Sequence, residues 1–113
     1  MEIICKAKNI YLGKRIKTAD SFWDRLIGLM FSSDMFGFDG LLIKPCNSIH
    51  TFFMEYNLDV AFLDKDLKIV KIIRNLKPWR ITGLYLKANQ VLELKAGALD
   101  SKIVEGDQVL CLN

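Results

Sequence analysis

Apolar residues in this chain fall mostly into short runs, and those runs set the expected elements. Ile3 to Ala7 and Ile10 to Ile16 are partly alternating runs parted by Lys8-Asn9, which reads as a hairpin or two edge strands. Between Asp20 and Phe31 the period changes. Phe22, Leu26 and Leu29 fall on one stripe, with Trp23, Ile27 and Met30 beside it, the wide apolar face of a helix. Ser21 with Asp24 three residues later resembles a capping box, and Ser32-Ser33-Asp34 supplies a polar stop. Gly28 inside that pattern costs about 1 kcal/mol relative to Ala, so another element is expected to cross closely there.

Past Gly37 and Gly40 the short runs return: Leu41 to Ile43, Leu58 to Leu63, Leu67 to Ile73, Gln90 to Leu94 and Gln108 to Leu112, with turn residues between them. No repeat or Pro/Gly/Ser-rich linker interrupts the chain, so residues 1–113 read as a single domain. Many strands around one helix predict an α+β fold that is mostly β. The expectation is a strongly curled or barrel-like sheet of about seven short strands with one main helix, about residues 20–31.

Composition narrows the class. A 51% hydrophobic content over 113 residues is too high for a disordered chain and sufficient for a core without disulfides or metals. Charge-free runs are about half the roughly 18–20 residues that span a bilayer, so no transmembrane helix is expected. The start, Met1-Glu2-Ile3-Ile4-Cys5-Lys6, lacks the basic and apolar regions of a signal peptide. Cys5, Cys46 and Cys111 form no Cys-x-x-Cys pair, which fits reduced thiols in a cytoplasm better than a disulfide framework. The net charge of +3 is unevenly placed: Lys65 to Arg80 holds six basic residues against one acidic.

Candidate chemistry concentrates in Pro45-Cys46-Asn47-Ser48-Ile49-His50-Thr51-Phe52-Phe53-Met54, which holds the only histidine with a cysteine, two hydroxyls and an amide. A cysteine nucleophile needs a base, usually histidine, within about 3 Å. On an extended strand Cys46 and His50 would share a face roughly 13 Å apart, which forbids a dyad. On a helical turn their Cβ atoms would lie about 5–6 Å apart and could meet. Against this stands the packed reading, in which Cys46 is a small buried hydrophobe and His50 donates to a backbone carbonyl. One histidine and scattered cysteines do not make a zinc set, so neither a metal nor a cofactor is expected.

Elsewhere, Asp59 at the start of Leu58-Asp59-Val60-Ala61-Phe62-Leu63-Asp64 reads as a rim residue or a buried, hydrogen-bonded carboxylate. Arg25 is a candidate to pair with such a group, and Glu93 between Leu92 and Leu94 is expected in solvent. The basic tract Lys65, Lys68, Lys71, Arg74, Lys77 and Arg80, next to Trp79, reads as the wet face of a sheet. Nucleic-acid binding would need a denser patch with several stacking platforms.

Taken together, Arg25-Leu26-Ile27-Gly28-Leu29-Met30, Gly40-Leu41-Leu42, Ser48-Ile49-His50-Thr51, Leu58 to Asp64, Val91-Leu92-Glu93-Leu94 with Ala96-Gly97, and Gly106-Asp107 resemble the uncharacterised DUF192 (UPF0127) family. The likeness runs from about Asn9 to the end of the chain, in order. It implies a compact, mostly β fold with one main helix, and it brings no established activity, substrate, cofactor or catalytic residue. His50-Thr51 stand where the commoner form has Trp-Met, and Asn57 replaces a proline, so the chain looks like a His-Thr-containing subgroup.

The expected function is a small soluble, non-catalytic binding or accessory domain whose partner is a small molecule or a protein. Its ligand residues would be Ser48, His50, Thr51, Phe53, Met54 and Asp59, with Phe52, Phe53 and Met54 as an apolar wall. Arg25, Gly28, Gly97 and Gly106 are expected to serve the fold. The first alternative is a thiol-dependent enzyme using Cys46 and His50. The second is weak nucleic-acid binding through Lys65 to Arg80. No membrane partner is expected, and the oligomeric state is not readable.

Overall fold

The computed structural model describes residues 1–19, 37–52 and 54–113, and the helix expected at 20–31 lies outside them, as do Arg25, Gly28 and Phe53. Eight strands form among the described residues: β1 (Glu2–Cys5), β2 (Ile10–Gly13), β3 (Ile16–Ala19), β4 (Gly40–Ile43), β5 (Leu58–Leu63), β6 (Ile69–Leu76), β7 (Gln90–Lys95) and β8 (Leu110–Leu112). They build a three-stranded sheet in the order β2-β1-β8 and a five-stranded sheet in the order β3-β4-β7-β5-β6.

Two expectations need correcting. Among the described residues there is no helix, so an α+β class with one main helix does not describe them. Nor is there a strongly curled or barrel-like sheet: each of the two sheets is open, with β2 and β8 at the edges of one and β3 and β6 at the edges of the other. The reason lies at Lys14-Arg15, inside the single strand read from Ile10 to Ile16. Both backbone N–H groups donate to one carboxylate oxygen of Asp39, at 2.8 and 2.9 Å, and these bonds hold the Asp39 carboxyl below its ordinary pKa. Gly13 precedes the corner because a Cβ there would collide with the Ile16 side chain. The run therefore breaks into β2, which pairs with β1, and β3, which pairs with β4.

β3 and β4 are parallel, and residues 20–39 between them exceed the dozen or so that a parallel crossover needs. The remaining pairings in both sheets are antiparallel.

Side-chain alternation along β5 and β7 divides the core. Ala61, Leu63, Leu92 and Leu94 face Ile3, Cys5 and Leu12 of the small sheet, while Leu58, Val60, Phe62 and Val91 face the opposite way, against Ile49, Met54 and Ala88. β5 and β7 are buried on both faces, which explains why they read as near-continuous apolar runs. It also corrects the expectation for Glu93. Its register partners are Leu41 and Val60, and it is buried, with its carboxyl pushed up to about 8 by loss of solvent.

Candidate functional site

Residues 44–52 and 77–89 lie outside the named strands, yet they run antiparallel and bond to each other. Cys46 N–H donates to Asn89 O (2.9 Å), Tyr85 to Asn47 O (3.0 Å), Thr82 to Ile49 O (2.9 Å), Thr51 to Arg80 O (2.8 Å) and Trp79 to Thr51 O (3.0 Å). Two threonine hydroxyls fill places that a regular ladder would give to the backbone. Thr51 is fully buried: its Oγ1 donates to Lys77 O at 2.7 Å and accepts from Arg80 N–H at 2.9 Å. Thr82 Oγ1 accepts from Ile49 N–H at 2.9 Å. Removing the Thr51 hydroxyl would strand the part-buried Arg80 N–H and Lys77 carbonyl, so Thr51→Val should cost about 1–2 kcal/mol and Thr51→Ser much less. Chemical denaturation checks this, and a Val variant as stable as the parent would dismiss Thr51 as the pin of this strap.

The strap has two sides. Inward, the Tyr85 ring rests on Phe62 with centroids 4.6 Å apart, and Ile49, Met54 and Ala88 join the core. Outward, His50, Phe52 and Trp79 form a stacked row with centroid separations of 4.9 and 5.8 Å. Trp79 holds a left-handed backbone (φ 62°), rare for a bulky residue, while its N–H is engaged by Thr51. Beyond the row, Ile81, Leu84 and Leu86 stand exposed.

The residues singled out from sequence are dispersed by this arrangement. The half-buried Cys46 thiol donates to Ser48 O at 3.0 Å, and His50 is exposed with its Nδ1 accepting from Phe52 N–H at 3.3 Å. These bonds turn the two side chains to different partners, and neither is the other. Met54 is buried, so of the anticipated apolar wall Phe52 is the part that the described residues place at the surface. Cys5 is buried, and burial raises the Cys111 thiol above its ordinary value, opposed by Lys44. Among the described residues no group of three His, Cys, Asp or Glu side chains is placed to hold a metal ion.

Asp59 belongs to a different corner. It is buried in β5; one carboxylate oxygen accepts from Asn75 N–H (2.9 Å), and the other accepts from Gly97 (2.9 Å) and Leu99 (3.2 Å). Gly97 meets it through a left-handed φ of 89°. Arg74 clips the same loop from the other side, its guanidinium donating to Leu99 O (2.7 Å), Asp100 O (3.1 Å) and Ile103 O (2.8 Å). The shallow depression of about 670 Å³ at this corner is lined in part by Asp59 and Arg74, whose side chains are already committed to backbone. Arg74 is thereby drawn out of the basic tract, and Lys71 leans toward Glu105 at 4.0 Å.

The strap residues Ile81, Leu84 and Leu86 were not legible as a surface. The only signal was a Pro- and Gly-containing stretch between two strand patterns whose apolar residues follow no period.

The profile of the DUF192 family, described as Uncharacterized ACR, matches residues 4–111. The chain belongs to the DUF192 family. Among its DUF192 relatives, the UPF0127 protein of Pyrococcus horikoshii is 34% identical over 113 residues, covering 95% of this chain and 96% of that protein. The UPF0127 protein of Thermococcus sibiricus is 33% identical over 113 residues, covering 95% and 72%. The DUF192 fold also resembles two solved structures. A Sinorhizobium meliloti protein matches with a TM-score of 0.81 at 23% identity, over 96% of this chain and 89% of that one. A protein of unknown function from Novosphingobium aromaticivorans matches with a TM-score of 0.72 at 21% identity, over 85% and 74%.

Proposed function

We propose that this DUF192 domain is a non-catalytic binding domain whose contact surface is the ridge formed by His50, Phe52 and the strap 77–87. The observation that carries it is the concentration of exposed apolar side chains there. Of eight exposed large hydrophobics among the described residues, five are Phe52, Trp79, Ile81, Leu84 and Leu86. Soluble domains leave single apolar residues exposed as a matter of course, whereas a contiguous group marks an interaction site. A strap pinned by Thr51 and Tyr85 holds that group in one shape before any partner arrives, which lowers the ordering cost of binding.

The reading predicts that the native protein binds an apolar fluorescent dye at the ridge. Leu84→Asp combined with Leu86→Asp should abolish the signal while leaving the thermal melt unchanged, because both side chains stand in solvent. Undiminished dye binding in that double variant would place the apolar contact surface elsewhere and end the proposal.

A further inference from the structure

Charge is distributed along the ridge in a way that narrows the partner. Lys77, Arg80 and Lys87 are exposed and interleave with Trp79, Ile81, Leu84 and Leu86, and neither 77–89 nor the companion segment 44–52 contains an acidic residue. The side chains project rather than enclose. Trp79 is 57% exposed, Leu84 64%, Ile81 71% and Leu86 81%, while Tyr85 between the two leucines turns into the core. This is a ridge with apolar tips and cationic flanks.

From this geometry we infer that the strap docks on an anionic lipid surface, an inference that rests on the ridge being the binding surface. Apolar tips that protrude can enter the boundary between headgroups and acyl chains, and a tryptophan is favoured at that depth. Lysine and arginine beside them meet the negative headgroups, an attraction that is lost within a screening length. A second copy fits less well, because apposing two straps would set the three cations of one against the three of the other in a low-dielectric contact. No membrane-spanning helix is needed for such docking, and among the described residues none is long and apolar enough to be one.

Co-sedimentation with vesicles tests it, comparing phosphatidylcholine mixed with phosphatidylglycerol against phosphatidylcholine alone. The full chain should partition onto the anionic vesicles, weakly or not at all onto the neutral ones, and less as salt is raised. Lys77→Glu with Arg80→Glu should lower the partition at least about tenfold, and so should Leu84→Asp with Leu86→Asp. Both pairs are exposed, and unchanged thermal melts confirm that the variants are folded. Binding that ignores the leucine changes would be general adsorption of a basic protein and would overturn the inference. Absent vesicle binding with dye binding intact would overturn the lipid partner and leave the ridge as a binding surface. A dimer that the leucine variants split would make a second copy the occupant and overturn the lipid partner equally. Loss of dye binding in the parent protein would remove both readings together.

Discussion

Replacing Asp59 with Ala is expected to lower the unfolding free energy by about 4 kcal/mol. Its carboxylate accepts from Asn75, Gly97 and Leu99, joining β5 to β6 and to the loop after β7. Hydrogen bonds to a charged acceptor contribute about 1.5–3 kcal/mol each, and a donor left unpaired in a buried position costs about 1–3 kcal/mol. Three such bonds sum to about 4 kcal/mol or more even after relaxation and water entry, a large share of the roughly 5–15 kcal/mol that holds a domain together. Asp59→Asn keeps one carbonyl acceptor but points an amide donor at backbone donors, so it should recover less than half of the loss. Arg74→Ala should cost less, about 1–2 kcal/mol, because Arg74 is itself exposed and water can take over part of what its guanidinium releases. Urea denaturation of the three variants gives the order directly. If Asp59→Ala fell within about 1 kcal/mol of the parent protein, the clamp would be incidental to stability.

The second large effect is a dependence of stability on pH that Glu93 introduces. Its carboxyl, ordinarily near 4.5, is pushed up to about 8 by burial beside Leu41 and Val60, and no ion pair among the described residues reaches it. The folded state thus holds this proton more tightly than the unfolded chain does. The resulting contribution is fully present below pH 4.5, declines as pH rises, and is gone above about 8. Each tenfold difference in proton affinity between the folded and unfolded states is worth about 1.4 kcal/mol, so the loss across that window is on the order of a few kcal/mol. Glu93→Gln keeps the shape and carries no charge, so it should match the parent near pH 5 and exceed it in melting temperature by a growing margin toward pH 9. Asp39 and Asp107 act in the opposite sense: hydrogen bonds hold both below the ordinary range, so their contributions are lost only in acid, outside this window. A Glu93→Gln margin that stays flat from pH 5 to pH 9 would show that the carboxylate finds water or a cation when it ionises.

The two predictions treat two buried carboxylates in opposite ways, and the difference is structural. Asp59 sits where three backbone donors converge, so its negative charge is solvated by the chain itself. Glu93 sits mid-strand on an apolar face, where the backbone groups near it are already spent on the ladders to β4 and β5. From sequence both are acids set among apolar residues, Asp59 reading as a rim residue or a buried, hydrogen-bonded carboxylate and Glu93 as solvent-facing. What separates them is position along the strand: Asp59 lies near the start of β5, where Asn75 and the loop after β7 bring their N–H groups to it, and Glu93 lies mid-strand opposite Leu41 and Val60. β7 lies between β4 and β5 in the larger sheet, and alternation alone cannot reveal that both of its faces are covered.

The same limit accounts for the candidate site. Cys46, Ser48, His50 and Thr51 drew attention because chemistry-bearing residue types are crowded there, and crowding in sequence carries no direction. In the fold, Thr51 points inward and fastens a strap from almost thirty residues away, while His50 points outward into an aromatic row with Phe52 and Trp79. The thiol of Cys46 serves the local turn through Ser48 O. The strap itself has no period to read, since its residues alternate between core and solvent only where the companion segment 44–52 dictates.

By itself, the sequence determined where extended chain forms and to which family the protein belongs. Runs such as Leu58 to Leu63 and Gln90 to Leu94 are short, largely apolar and bounded by turn residues, the pattern of a buried strand, so their strands follow from local sequence. Only the tertiary structure decided how those strands are shared between two open sheets. That choice turns on Asp39 catching the Lys14 and Arg15 amides, a contact between residues about 25 positions apart in the chain. It likewise decided which polar groups are neutralised, clamped or displayed, because a side chain's partners are set by the elements packed against it, and no window along the chain contains them.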